Sequence, residues 1–364
     1  MKYISLYSGC GGLDYGFHKS GFELVFANDI DRDSCKTFEQ NFLFQPHHLD
    51  LNSINSKDIP KADIVIGGPP CQSFSFLGKR AIFDDRGKEI FNFFNIVNKV
   101  NPKIFIMENV PGVRSSSVNG IGLIDHLSNE MSKKGYQTLI HRFDCTKTYI
   151  PQTRKRDIFI GWKRSMNKPE ILDDKQLRNL LNIKSNKDHV NVFDCLSDLD
   201  DPLSEDAPIK YKKKPKSEFQ KFLRKNSNHY THHFLMKLSD REKEFIKHIP
   251  PGGNYQNIPD EISTPRILRI KKTGGRTTTY GRLHPEKFSA TVNTYFNRPN
   301  VGTNFHYESE RLISPREALR LQSFPDNFSI SYSSKRSLCK QIGNAVPPRL
   351  SIILSKIVTE MFNG

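Results

Sequence analysis

In KYISLYSGCGGLDYGFHKSGFELVFANDI, residues 2–30, the texture of the chain changes three times. A run rich in β-branched and aromatic residues ends at Tyr7. Gly9, Gly11 and Gly12 follow, then a segment with helical periodicity, then a second apolar run at 23–27. Short runs of this composition read as strands, and glycines let a backbone turn tightly and approach a ligand closely. The unit is strand, glycine turn, helix, strand.

The same alternation continues through the first half. Strand-like runs recur at 62–68, 103–108, 136–143 and 156–162, separated by stretches of helical spacing. Repeated β-α units predict an α/β fold whose mostly parallel sheet carries helices on both faces. Ligands of such sheets bind at the carboxyl ends of the strands. Chemistry is therefore expected in the loops after those runs.

The 364 residues suffice for one large domain or two ordinary ones. The 55 Lys and Arg against 39 Asp and Glu give a net charge of +16, which would draw the protein towards a polyanion. Six cysteines lie far apart with no metal-ligand spacing, no apolar run is long enough to span a bilayer, and no opening stretch reads as a signal peptide. The expectation is a cytoplasmic protein with reduced thiols and no metal.

Four places invite chemistry. The glycine turn lacks the dinucleotide fingerprint, because Asp14 stands where the third glycine would be. With Asp29 past the second strand, it suits an adenosine-containing ligand or a plain tight turn. Glu108 ends a strongly apolar strand, where a carboxylate needs a partner or a task. Arg154 and Arg156 alternate on entering a strand and should project to one side. The loop GGPPCQSFS (67–75) puts two glycines and two prolines ahead of Cys71, a backbone built to aim a thiol.

Taken in order, these segments resemble the DNA cytosine-5 methyltransferase family. LYSGCGGLDYGF is similar to its S-adenosylmethionine loop, ANDID to its ribose-binding segment, GGPPCQSFS to its Pro-Cys loop and ENVPG to its glutamate motif. QTRKR is similar to its QxRxR motif, SPREALRLQSFPDNF to the motif closing its recognition region, and QIGNAVPP to its C-terminal motif. The resemblance covers about 1–165 and 276–364. It implies a Rossmann-like class I methyltransferase sheet with a second, smaller, loop-rich target-recognition domain. The expected division is a catalytic and cofactor-binding domain at 1–203, a target-recognition domain at 204–330, and a segment at 331–364 returning to the first.

The resemblance assigns roles. Cys71, Glu108, Arg154 and Arg156 would be catalytic. Tyr7, Ser8, Gly9, Gly11, Gly12, Leu13, Asp29, Ile30, Asp50, Leu51, Pro70, Asn344 and Val346 would hold S-adenosylmethionine and its product S-adenosylhomocysteine. Ile30 takes a position where the family often has an aromatic, and Glu89 one where it has a leucine. Ser75, Lys79, Arg80 and Gln152 would contact DNA from a closing loop and its surroundings. Cytosine C5 is a poor nucleophile. A thiolate adding at C6 makes it enamine-like and able to attack a sulfonium methyl, while the arginines and Glu108 would answer charge at O2 and N3. The base must first leave the duplex.

Between the flanking motifs, Arg266, Arg269, Lys271, Lys272, Arg276 and Arg282 give the recognition region a positive face. Arg276, Thr278, Tyr280 and Arg282 are expected near bases or phosphates, since arginine on guanine is the commonest specific contact. The basic run 209–225 is either a solvated helix or a further DNA contact. The partner expected is double-stranded DNA, approached by a monomer in a bacterial restriction-modification setting with a cognate endonuclease. Rivals are a tRNA methyltransferase of the same family, an inert DNA-binding relative and a nicotinamide-dependent oxidoreductase. An inert relative should have lost Cys71, Glu108 or the arginine pair, and Asp14 disfavours the oxidoreductase.

Overall fold

The computed structural model describes residues 1–54, 58–70, 88–118 and 120–363. By internal contacts the chain forms two compact units. The first comprises residues 1–144, 155–182 and 348–364, the second 145–154 and 183–347.

The first unit is built on a seven-stranded sheet. Its strands are β1 (Lys2–Leu6), β2 (Glu23–Asp29), β3 (His47–His48), β4 (Ile64–Gly67), β5 (Ile104–Asn109), β6 (Tyr136–Asp144) and β7 (Lys155–Lys163), in the order β3-β2-β1-β4-β5-β7-β6. The pairings from β3 to β5 are parallel, and β7 runs antiparallel to both neighbours. The reversal follows from the short link between β6 and β7, since a parallel crossover needs about a dozen residues or more. All six strands expected from the sequence are present. The two-residue β3 is too short for any sequence pattern to reveal.

Side-chain alternation sorts the core into two layers. Ile4 and Leu6 of β1 join Val65, Phe105 and Met107 under α3 (Lys88–Val100) and α4 (Leu123–Lys133). Tyr3 faces the other way onto Phe17 of α1 (Asp14–Lys19), which α2 (Arg32–Phe42) follows. The short α5 (Asp174–Leu180) follows β7 and buries Leu177. The last helix, Pro348–Asn363, lies against α1, where the Gly16 amide donates to the Ser351 hydroxyl at 2.7 Å. A β-carbon at Gly16 would sit 2.2 Å from the Ser351 backbone, so only glycine permits this approach.

The second unit carries α6 (Val192–Leu196), α7 (Glu218–Leu223), α8 (Asp240–Lys247), α9 (Pro265–Thr273), α10 (Pro315–Leu321) and α11 (Lys335–Asn344), with two small strand pairs. Buried arginines brace it. Arg320 on α10 bonds both carboxyl oxygens of Asp326 and also Asp198, while Arg316 donates to the carbonyls of Thr231, Pro325 and Phe328. The arginines of SPREALRLQSFPDNF therefore hold this unit together. It begins near Ile183, runs to Pro347 and takes residues 145–154 out of the middle of the first unit's sequence. Residues 145–154 belong to it because Gln152, Thr153 and Arg154 bond residues 289–345.

Candidate active site

The order β3-β2-β1-β4 places the switch point of the sheet between β1 and β4, where open α/β sheets bind their ligands. Tyr7, just past β1, has φ +52, a left-handed conformation costly for a residue with a side chain. It turns the chain into Gly9, whose amide donates to an Asp29 carboxyl oxygen at 2.7 Å; the other oxygen accepts from the Asp31 amide at 2.8 Å. Asp29 thus ties the glycine turn to the end of β2. The Ser8 amide and hydroxyl both donate to the Asn28 carbonyl. Gly9 itself, at φ +55, faces open space where a β-carbon would stand.

Around that space the expected residues divide. Ile30, just past β2, is 68% exposed. Asp50 caps the turn Leu51–Ser53 by accepting from the Asn52 amide and side chain at 2.8 and 2.7 Å. Leu13 and Leu51 are buried, Leu51 within the core, while Pro70 is exposed. Four polar residues that the motifs did not assign to a ligand join them. The Tyr7 hydroxyl donates to a Glu89 carboxyl oxygen at 2.7 Å, Asn52 bridges Glu89 and Asp50, Asn92 donates to the Asn52 side chain at 2.7 Å, and Asn28 underlies Ser8. Side-chain amides at strand and helix ends leave no periodic signal, although Glu89 opens α3 directly across the switch point. The switch point thus carries a glycine turn with space beside Gly9, the carboxylates of Asp29, Asp50 and Glu89, and the exposed side chain of Ile30.

The second part of the site lies at the carboxyl end of β5. Glu108 pairs in register with Ile158 of antiparallel β7, which puts Arg156 diagonally opposite on the same face. Their side chains meet at 2.6 Å, both largely buried. The chain leading to position 71 is fixed against this pair. The Asn109 side chain donates to the Pro69 carbonyl at 3.3 Å, and a β-carbon on Gly68 would come within 3.3 Å of Glu108 Oε2. Cys71, Ser75, Lys79 and Arg80 lie outside the described residues. The other five cysteines are all buried, and burial pushes the thiols of Cys10 and Cys339 up to about 12, which keeps them protonated.

Three expected residues have other work. Arg154 is fully buried, and its guanidinium donates to the carbonyls of Val292, Gly343 and Ala345. It precedes β7, so strand alternation does not extend to it, and it braces the turn bearing exposed Asn344 and buried Val346. Gln152, expected on DNA, is also fully buried, spanning the Val292 amide and the Leu321 carbonyl. Arg282 is buried with bonds to the carbonyls of Ile249, His306 and Glu308. Arg276 is exposed, and Thr278 and Tyr280 are half-buried.

The sheet thus carries a glycine turn at its switch point and a carboxylate–guanidinium pair where β5 ends and β7 begins, the layout of an α/β protein that binds its ligand at the strand ends. The class narrows by comparison: a family model for C-5 cytosine-specific DNA methylase matches residues 1–360, and the chain belongs to that family. It is 30% identical to the Type II methyltransferase M.NgoFVII of Neisseria gonorrhoeae, over all of this chain and 87% of that one. It is 32% identical to M.NgoPII of the same organism, over 96% and 93%. Among solved structures, a protein described as a DNA modification methyltransferase encoded within an E. coli prophage matches the whole of both chains at TM-score 0.76 and 25% identity. The S. pombe Dnmt2 methyltransferase shares the fold at TM-score 0.64 and 15% identity.

Proposed function

We propose that this DNA cytosine-5 methyltransferase moves a methyl group from S-adenosylmethionine to a cytosine turned out of a short specific duplex sequence. Cys71 is its nucleophile, and the enzyme serves as the modification enzyme of a restriction-modification system. The bound sulfonium supplies an electrophilic methyl, and its sulfur leaves as a neutral thioether. Tyr7, Ser8, Gly9, Asp29, Ile30 and Asp50 form the nucleoside cradle, with Gly11 and Gly12 in its turn and Asn344 and Val346 in the C-terminal motif.

The Cys71 sulfur adds to C6 of the cytosine, and the ring's electron pair moves onto C5. Glu108 hydrogen-bonds N3 and answers the charge that develops there. Arg156 holds Glu108 in place and offers its guanidinium towards O2. Once C5 carries the methyl, loss of its proton returns the electron pair to the ring and expels the thiolate, restoring Cys71. Preorganised groups of this kind are typically worth about 3–4 kcal/mol each in such steps. Ser75, Lys79 and Arg80 of the loop after Cys71, and Arg276, Thr278 and Tyr280 of the second unit, are the residues we assign to contact with DNA. That unit, from about residue 183 to 347, is the target-recognition domain.

The observation that carries the reading is the Glu108–Arg156 pair packed against the residues that deliver position 71. Its test is a duplex containing 5-fluorocytosine at the target, which cannot lose a C5 proton and so keeps the protein attached. Wild-type protein with S-adenosylmethionine is expected to form a complex that survives denaturation, and Cys71→Ser none. A Cys71→Ser variant that methylated DNA normally would end the covalent scheme.

A further inference from the structure

On α9 (Pro265–Thr273), Arg266, Arg269 and Lys272 recur every three residues and fall within about 120° of the helix circumference. The opposite side buries Ile267 against the second unit. Thr264 caps the helix, and α9 contains no acidic residue. The three cations are exposed, and none of them makes an ion pair among the described residues.

The neighbouring cations differ. Lys271 on the same helix is held by Asp260 at 2.5 Å. On α8, Lys243 pairs with Asp240 at 2.9 Å, and Lys247 with Glu244 at 2.7 Å. Asp240, Glu244 and Asp260 are thus matched to these lysines, and Glu242 caps α8 through Ser239, while exposed Arg241 and the three α9 cations form no ion pair among the described residues. Glu242, Arg266 and Arg241 all lie within electrostatic reach of the Tyr280 hydroxyl, so the two cations of α8 and α9 adjoin the Tyr280 turn together with one carboxylate of α8. Gly274, at φ +81, ends α9 and leads into exposed Arg276.

We infer that the exposed face of α9, with Arg241, is a docking surface for the sugar-phosphate backbone of duplex DNA. This rests on the proposed function and adds the place where the second unit grips its substrate. It also separates working cations from structural ones. The positive face excludes Lys271 and Arg282, whose charges are used inside the protein, and gains Arg241. A phosphate-contacting face carries no sequence information of its own, so it should bind target and scrambled duplexes alike.

The test is the salt dependence of duplex binding by the full chain with S-adenosylhomocysteine present, read by fluorescence anisotropy over a series of KCl concentrations. Removing one phosphate-binding cation should flatten the slope of log K against log[KCl] by about 0.9. The triple variant Arg266→Gln/Arg269→Gln/Lys272→Gln is thus expected to flatten the slope by about 2.7 on both target and scrambled DNA. The control Lys243→Gln/Lys247→Gln should leave it unchanged. Should the triple variant fail to fold, Arg269→Gln alone is expected to flatten it by about 0.9.

An unchanged slope in folded variants that still methylate DNA overturns this inference and leaves the proposed function standing. A slope altered on tRNA but not on duplex overturns the choice of partner. Wild-type protein that binds no duplex at any salt concentration sinks the proposed function itself.

Discussion

Replacing Asp14 by Asn should remove a pH dependence of stability built into the start of α1. Asp14 is fully buried beneath the glycine turn. The hydroxyls of Tyr3 and Ser5 are its polar neighbours and favour the charged carboxylate, yet neither carboxyl oxygen makes a full hydrogen bond to a described group. Burial dominates and pushes its pKa up from 3.8 to about 7. The folded state therefore holds a proton that the unfolded chain releases near pH 4. Stability from this group is full below pH 4 and is lost as pH rises towards 7, reaching a constant penalty above. A shift of this size corresponds to about 4 kcal/mol in total, of which about 2.5 kcal/mol falls between pH 5 and pH 8.

The single tryptophan, Trp162, is buried in β7 and makes its fluorescence a probe of the first unit. Urea unfolding at pH 5 and pH 8 should show wild-type protein losing about 2.5 kcal/mol more than Asp14→Asn across that interval. Asp29 and Cys10 lie nearby but are unchanged by the substitution, so the difference between the two proteins isolates Asp14. Parallel pH profiles would show that the carboxyl is ionised in the folded protein and would refute the reasoning.

Gly16→Ala forces a β-carbon into the backbone of the last helix. It should destabilise the first unit by the upper end of about 1–3 kcal/mol, read by Trp162 fluorescence. Arg154→Met removes the donors of three buried carbonyls. It should cost the second unit on the order of 3 kcal/mol, seen by circular dichroism as a transition that Trp162 does not report. A variant with unaltered stability and a selective loss of turnover would return Arg154 to the chemistry.

Much of the first unit was legible because strand burial and helix spacing leave periodic traces. The runs that became β1, β2, β4, β5, β6 and β7 were visible at once, as was a glycine turn before α1. The Glu108–Arg156 pair was visible as two chemically costly residues at strand ends, though only the antiparallel register of β5 and β7 joins them. What escaped was the fate of polar side chains. Arg154, Gln152 and Arg282 look like surface or substrate-facing groups in sequence, but each has its hydrogen bonds taken by main-chain groups far along the chain. Strand alternation was carried one residue too far at Arg154, where the chain passes from the second unit into the first. The Tyr7–Glu89–Asn52 network joins three separated segments, a coincidence that only folding creates.

The most direct measurement is transfer of labelled methyl from S-adenosylmethionine into unmethylated duplex DNA and, in parallel, into tRNA, followed by nucleoside analysis. 5-Methylcytosine in the DNA alone is the predicted result. Label in tRNA alone, or in neither while S-adenosylmethionine still binds, would contradict the account.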